Sequence, residues 1–222
     1  MRASRASLAA SLAASLAALA LALAGCQDDV ATPFPPGIEP FSDGDRPGGL
    51  PEPQGEELVT AASDNGMIRA YGRGRVLAPP SAVWRAAKVP EVMVARCNTN
   101  KRTFMLDNEP QHELSFLVHY VVDDIFTIEW DDQWRGGVAI GTSEAPELAM
   151  VKHQKIQGSD FIYLSEGTIQ LRATADPDVT DLWFVEHLDA LSGSADQVIG
   201  GMRDNYDALV AVAHGQVIPP CP

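Results

Sequence analysis

The sequence predicts an α+β domain over residues 64–222, and three observations carry that prediction. Alternating apolar and polar residues recur from Glu113 to Leu188 and read as a run of antiparallel strands. Ahead of that run stands one earlier strand-like stretch, Met67 to Ala78, followed by prolines placed to start two short helices. The chain then ends in a long helical pattern, Ser194 to His214, with a single apolar face. The expected order is one strand, two short helices, further strands to a total of about six or seven, and a C-terminal helix packed on the sheet.

In Met67 to Ala78, Ile68, Ala70, Gly72, Gly74 and Val76 share one parity and Arg69, Tyr71, Arg73 and Arg75 the other, so one face is basic. Gly72-Arg73-Gly74 lacks the third glycine and following helix of a dinucleotide loop and reads as a bulge or bend. Pro79-Pro80-Ser81 opens the first short helix, which buries Val83, Trp84 and Ala87; Pro90 opens the second, Glu91 to Ala95. A loop follows. Glu113 to Val122 is a strand, Asp123-Asp124 a turn, Ile125 to Trp130 a strand ended by Asp131-Asp132, and Trp134 to Ile140 another, bent at Gly136-Gly137. After a loop at Pro146 come Met150 to Gln157, Asp160 to Leu164 running on through Thr168 to Ala173, and Asp181 to Leu188. Gly158-Ser159 and Asp176-Pro177-Asp178 supply the turns. On the last helix Val198, Met202, Tyr206, Leu209 and Ala213 form one face, Asp196 suits the positive first turn, and Gly215 is the stop.

The first 25 residues read differently. Arg2 and Arg5 precede an uncharged Ala-, Leu- and Ser-rich run from Ser7 to Gly25, the pattern of a secretory signal. At roughly 19 residues the run is also near the length of a membrane span, so a retained helical anchor is the alternative. The small residues before Cys26 favour cleavage. Leu23-Ala24-Gly25-Cys26 resembles the lipobox of bacterial lipoproteins, which implies cleavage before Cys26, a diacylglycerol on its sulfur, and attachment to a membrane. Gln27, in place of the aspartate associated with inner-membrane retention, points to the outer membrane, facing the periplasm. From Cys26 to Ser63, interleaved prolines, glycines and acids cannot bury enough apolar surface to order themselves, and read as a spacer.

Removing residues 1–25 takes away Arg2 and Arg5 and no acid, so the formal charge of −14 becomes −16. That field opposes nucleic acid and anionic headgroups. No sequence signal sets the oligomeric state. Beyond Cys26, Cys97 and Cys221 remain in a compartment that permits a disulfide. They read either as a bond tethering the C-terminus or as two thiols too far apart to bridge.

The order of elements, with R-G-R-V-L-A-P-P (Arg73 to Pro80), S-A-V-W-R-A-A (Ser81 to Ala87) and the final Q-V-I-G-G-M-R-D-N-Y-D-A-L-V (Gln197 to Val210), resembles the START-like, or helix-grip, superfamily with its polyketide cyclase and lipid-transfer branches. The resemblance implies a curved sheet gripping the last helix around an apolar cavity. Val198, Gly201, Met202, Tyr206 and Leu209 would then contact an apolar small molecule or lipid, with Met202 adaptable and the Tyr206 hydroxyl orienting the ligand. The alternatives are an envelope lipoprotein that binds a partner or serves structurally without a ligand, and an enzyme of cyclase or hydrolase type.

Catalytic, metal and cofactor signatures are not legible: the sequence has no G-x-S-x-G, H-E-x-x-H, C-x-x-C or Walker loop. His112 and His119, seven apart, fall on opposite faces of one strand, and His153 and His187 meet a partner only if register allows. Asp123-Asp124 and Asp131-Asp132 read as turns rather than calcium ligands. Glu129 and Glu186 lie in strands, read as facing outward; an inward one would be a proton acceptor with a raised pKa.

Overall fold

The computed structural model describes residues 49–94, 96–97, 99, 101–123 and 127–221. The leader, Cys26 and most of the expected spacer lie outside the described residues.

Eight antiparallel strands form one sheet, ordered β1-β2-β8-β7-β6-β5-β4-β3. They are β1 (Leu58–Asp64), β2 (Ile68–Val76), β3 (Lys101–Leu106), β4 (Leu114–Asp123), β5 (Thr127–Gly141), β6 (Pro146–Gly158), β7 (Ile162–Ala173) and β8 (Thr180–Ala190). Among the described residues three helices accompany the sheet: α1 (Pro80–Ala87), α2 (Pro90–Met93) and α3 (Ala195–Ala213). β3 to β8 run as a meander, and β2 then pairs with β8 from the start of the chain. The short helices cross between β2 and β3, and the curved sheet holds α3 against β1, β2 and β8. This is the helix-grip arrangement.

Apolar side chains of one sheet face meet those of the helices. Val83, Trp84 and Ala87 are fully buried on α1, as the pattern predicts, and α2 buries Val92 and Met93. Ser194 caps α3 by accepting from the Gln197 amide at 3.2 Å, and Gly215 closes it at φ 72°. On α3, Met202, Tyr206 and Leu209 face the core together with Asn205 and Ala208.

Several expectations need correction. The sheet has eight strands, because two edge strands carry little apolar signal. Leu58–Asp64, all but its last residue inside the expected spacer, pairs with β2 along its whole length. The folded part therefore starts before residue 64, and the short helices follow the second strand. Residues ahead of β1 are also held: Glu52 accepts from Arg73 at 2.7 Å, and the Pro53 carbonyl accepts from Arg75 at 3.2 Å. β3 lies where a loop is expected, with Met105 and Leu106 exposed on the edge. Asp131-Asp132 is no turn; it lies within the 15-residue β5, which joins the two strands expected there. A register shift against β6 falls between these two aspartates. Gly72-Arg73-Gly74 is neither bulge nor bend. Both glycines sit in regular register, and a Cβ would lie 2.6 Å from Met202 Sδ at Gly72 and 3.0 Å from the Tyr206 ring at Gly74. They let α3 approach the strand closely.

Cys97 and Cys221 are disulfide-bonded, with Cα atoms 5.4 Å apart. Beside them the Arg96 guanidinium donates to Asp204 on α3 at 2.6 Å and to the Pro219 carbonyl at 2.6 Å. The C-terminal tail, α3 and the approach to β3 are thereby joined at one point.

Candidate functional site

A cavity of about 310 Å³ lies between the sheet and the first half of α3. Its sheet wall comes from alternation. Trp130, Asp132 and Trp134 project from one face of β5 at steps of two residues. Tyr120 of β4 stands opposite Trp130 in register, and the rings stack at 4.7 Å. His153 of β6 stands opposite Trp134 and stacks on it at 4.2 Å, with Phe116 on the other side of Trp134 at 5.4 Å. The helix wall is Val198, Gly201, Met202 and Asn205. Ser192, Gly193 and Gln197, where β8 leads into α3, also line it.

Within this aromatic wall sits an ionisable cluster. His153 Nε2 is 3.0 Å from Glu186 Oε2, and His153 Nδ1 is 3.8 Å from Asp132 Oδ2. Their side chains are only 7%, 16% and 5% exposed for His153, Glu186 and Asp132. Burial pushes the Asp132 carboxyl up to about 7, against the opposing pull of the His153 charge. Burial works against the His153 imidazolium, but the charges of Glu186 and Asp132 outweigh it and leave the imidazole above its ordinary value. Burial, then the Asp132 charge, raises the Tyr120 hydroxyl well above the usual tyrosine range.

Eight buried side-chain polar atoms among the described residues have no hydrogen-bond partner, and six belong to cavity residues. They are Thr99 Oγ1, Trp130 Nε1, Asp132 Oδ1, Trp134 Nε1, His153 Nδ1 and Asn205 Oδ1. Unpaired buried polar atoms each cost about 1–3 kcal/mol and are scarce in native proteins, so their concentration in one place marks a site. Among the described residues no cluster of His, Cys, Asp or Glu is arranged to hold a metal ion, and no helix is long and apolar enough to cross a membrane.

Of the five residues expected to contact a ligand, Val198, Gly201 and Met202 line the cavity. Tyr206 and Leu209 do not. One turn further along α3 the helix meets solid core, and the Tyr206 hydroxyl is committed to the Arg75 carbonyl at 2.7 Å. Glu186 faces inward, contrary to expectation, whereas Glu129 is more than half exposed. His187 meets Glu166 at 2.9 Å and His119 meets Asp131 at 2.7 Å, both away from the cavity. The sequence reads Asp132 as part of a turn, leaves His153 dependent on register, and gives Trp130 and Trp134 strand positions without a cavity role. The available signal was W-D-D-Q-W itself, whose spacing of two continues the strand pattern through the aspartates.

The fold and cavity together define a helix-grip arrangement with a ligand-sized site. No protein-family model and no curated protein sequence matches this chain. Among solved structures, the human StarD13 lipid transfer and protein localization domain is similar at 10% identity and TM-score 0.48, over 78% of this chain and 90% of that one. Human STARD10 is similar at 8% identity and TM-score 0.47, over 72% of each chain. The Zhui aromatase/cyclase of a Streptomyces species is similar at 12% identity and TM-score 0.43, over 67% of this chain and 92% of that one. At these identities no residue role transfers.

Proposed function

We propose that this domain binds a compact, largely apolar molecule bearing a polar group, in the cavity beneath α3, on a body tethered to the cell envelope through a lipid on Cys26. One observation supports the binding reading above others: an aromatic-walled cavity of about 310 Å³ collects six of the eight unpartnered buried polar atoms. Solid cores leave few such atoms unpaired, whereas ligand pockets of about 300–1,000 Å³ combine apolar walls with a few convergent polar groups. The volume stands at the lower end of that range and favours a small ligand. The tether rests on Leu23-Ala24-Gly25-Cys26, and the acidic, proline-rich segment behind it would carry the domain clear of the outer membrane on its periplasmic side.

The test uses the apolar fluorophore N-phenyl-1-naphthylamine, followed by its own emission and by quenching of the cavity tryptophans. Wild type is expected to bind it saturably. Gly201→Leu, which places a large side chain in the cavity from a helical position that favours leucine over glycine, is expected to lose binding while circular dichroism stays native. No saturable binding by wild type, or unchanged binding in a folded Gly201→Leu, overturns the reading and leaves a ligand-free envelope protein.

A further inference from the structure

Ligand binding does not explain how His153 is held. Its Nε2 is anchored on Glu186 at 3.0 Å, its ring lies flat on Trp134 at 4.2 Å, and its Nδ1 is buried, unpartnered and 3.8 Å from Asp132. A carboxylate on one ring nitrogen and a free second nitrogen beside a cavity is the geometry of an oriented general base. Asp132 also presents an unpartnered oxygen, Oδ1. Gly167 stands between His153 and Glu186 in register, and a Cβ there would overlap both partners, so the pairing depends on that glycine. Of the cavity hydroxyls on Thr99, Tyr120, Ser165 and Ser192, none hydrogen-bonds His153 among the described contacts, so the geometry favours proton transfer over hydroxyl attack.

We propose that His153 and Asp132 form an acid–base pair that transfers a proton between carbon and oxygen of an apolar carbonyl compound held in this cavity, with Glu186 as the positioning residue. The proposal rests on the ligand-binding reading above. His153 Nδ1 takes the hydrogen on the carbon next to the carbonyl. The electron pair of that C–H bond forms the carbon–carbon double bond, and the carbonyl π pair takes the proton of the neutral Asp132 carboxyl. The product is an enol beside an imidazolium and a carboxylate. These two opposite charges are neighbours, and Glu186 further stabilises the imidazolium. Return of a proton from His153 to carbon and of the enol proton to Asp132 restores both groups, so the cycle needs no co-reactant.

The step starts from neutral His153 beside protonated Asp132; burial of both groups favours that neutral pair and raises Asp132 to about 7, while the Glu186 charge favours the imidazolium. The charged groups whose fields reach His153 are Glu186 of β8, Asp132 of β5 and Glu166 of β7. From α3 the cavity receives only Gln197, Val198, Gly201, Met202 and Asn205, none of them charged.

The experiment incubates the purified full chain with 2-tetralone in deuterium oxide. Mass spectrometry follows deuterium entering the carbon beside the carbonyl, and tryptophan quenching follows binding. Wild type is expected to raise the exchange rate about 10²–10⁴-fold over buffer, the range that acid–base groups contribute, and His153→Gln and Asp132→Asn are each expected to remove most of that gain. His187→Gln, on the other sheet face, is expected to exchange as wild type. Glu186→Gln removes a charge that favours imidazolium, so the acid limb of its pH profile should move to lower pH, a displacement that loss of packing alone would not produce. Should His153→Gln fail to fold by circular dichroism, the near-isosteric Asp132→Asn and Glu186→Gln carry the test. Quenching without exchange above buffer overturns the proposal and leaves ligand binding intact, as does exchange unaffected in every folded variant. Neither quenching nor exchange, in protein that binds N-phenyl-1-naphthylamine, overturns a ketone as the substrate. Failure to bind either compound removes the binding reading as well.

Discussion

His153 and Glu186 sit on strands that are not neighbours, and they meet at 3.0 Å because the residue between them is Gly167. β7 separates their strands, and any side chain on it at that level would fill the space the pair occupies. Gly167→Ala is therefore expected to push the imidazole and carboxylate apart and to destabilise the domain by about 1–3 kcal/mol, as overpacking does. Thermal unfolding measures the loss, and histidine side-chain NMR detects the displaced ring. A variant with wild-type stability and an unmoved His153 resonance would show that the strands adjust freely.

The cluster also sets a pH dependence. Asp132 rises from an ordinary 3.8 to about 7 in the folded state, so the folded chain binds its proton more tightly. That stabilises folding fully below about pH 4 and is lost as the pH climbs to about 7. His153 is raised as well, and its contribution is lost in turn above its folded value. Glu109, lowered by its hydrogen bond from Arg135, acts in the opposite sense only on acidification below its usual 4.5. Tm should therefore fall between pH 5 and pH 8. In Asp132→Asn the slope between pH 5 and 7 should flatten and Tm at pH 8 should rise. A Tm that climbs over this window contradicts the assignment.

The Cys97–Cys221 bond closes a loop of 124 residues in sequence separation. Replacing both cysteines with serine is expected to cost about 2–5 kcal/mol. Because Arg96 independently holds Asp204 and Pro219, the tail should loosen without unfolding the sheet. Denaturant titration reports the first effect and amide hydrogen exchange near Val217 the second. Equal protection of the tail in both proteins would mean that Arg96 alone suffices.

At Gly72 an alanine would bring Cβ to 2.6 Å from Met202 Sδ, which lies on the cavity wall. Methionine is flexible, so Gly72→Ala should fold with a loss near 1 kcal/mol and move Met202 into the cavity, weakening fluorophore binding several-fold. Undiminished affinity would show that Met202 moves elsewhere.

At the other end of the chain, the tether is checked by mass. The full chain expressed in a bacterium and extracted from its membranes should begin at Cys26 and carry a diacylglycerol there, and Cys26→Ser should release it from the membrane fraction. An unmodified Cys26 in membrane-bound protein would rule out this attachment.

Local chemistry was enough to read α1, α2 and α3. Prolines start the first two, a serine caps the third, and Val83, Trp84, Met202 and Leu209 recur at helical spacing. The inner strands were legible for a similar reason: a sheet with one buried face forces alternation on the sequence. β1 and β3 were not, since edge strands bury little and backbone pairing, not side-chain pattern, holds them. Part of the helix wall could be read from α3, because Val198, Gly201 and Met202 lie on one helical stripe. The sheet wall depended on register. Whether Glu186 faced inward, and whether it found His153, followed from pairings along β6, β7 and β8 that no single strand encodes. Asp131-Asp132 shows the same limit. Two adjacent aspartates favour a turn by local preference, yet β4 pairs with β5 straight through them, and β6 pairs on both sides of one register shift, so that Asp132 is carried into the interior. Local sequence determined the elements and the face each one buries. Only tertiary pairing decided which polar residues would share a buried space, because that depends on the alignment of distant strands.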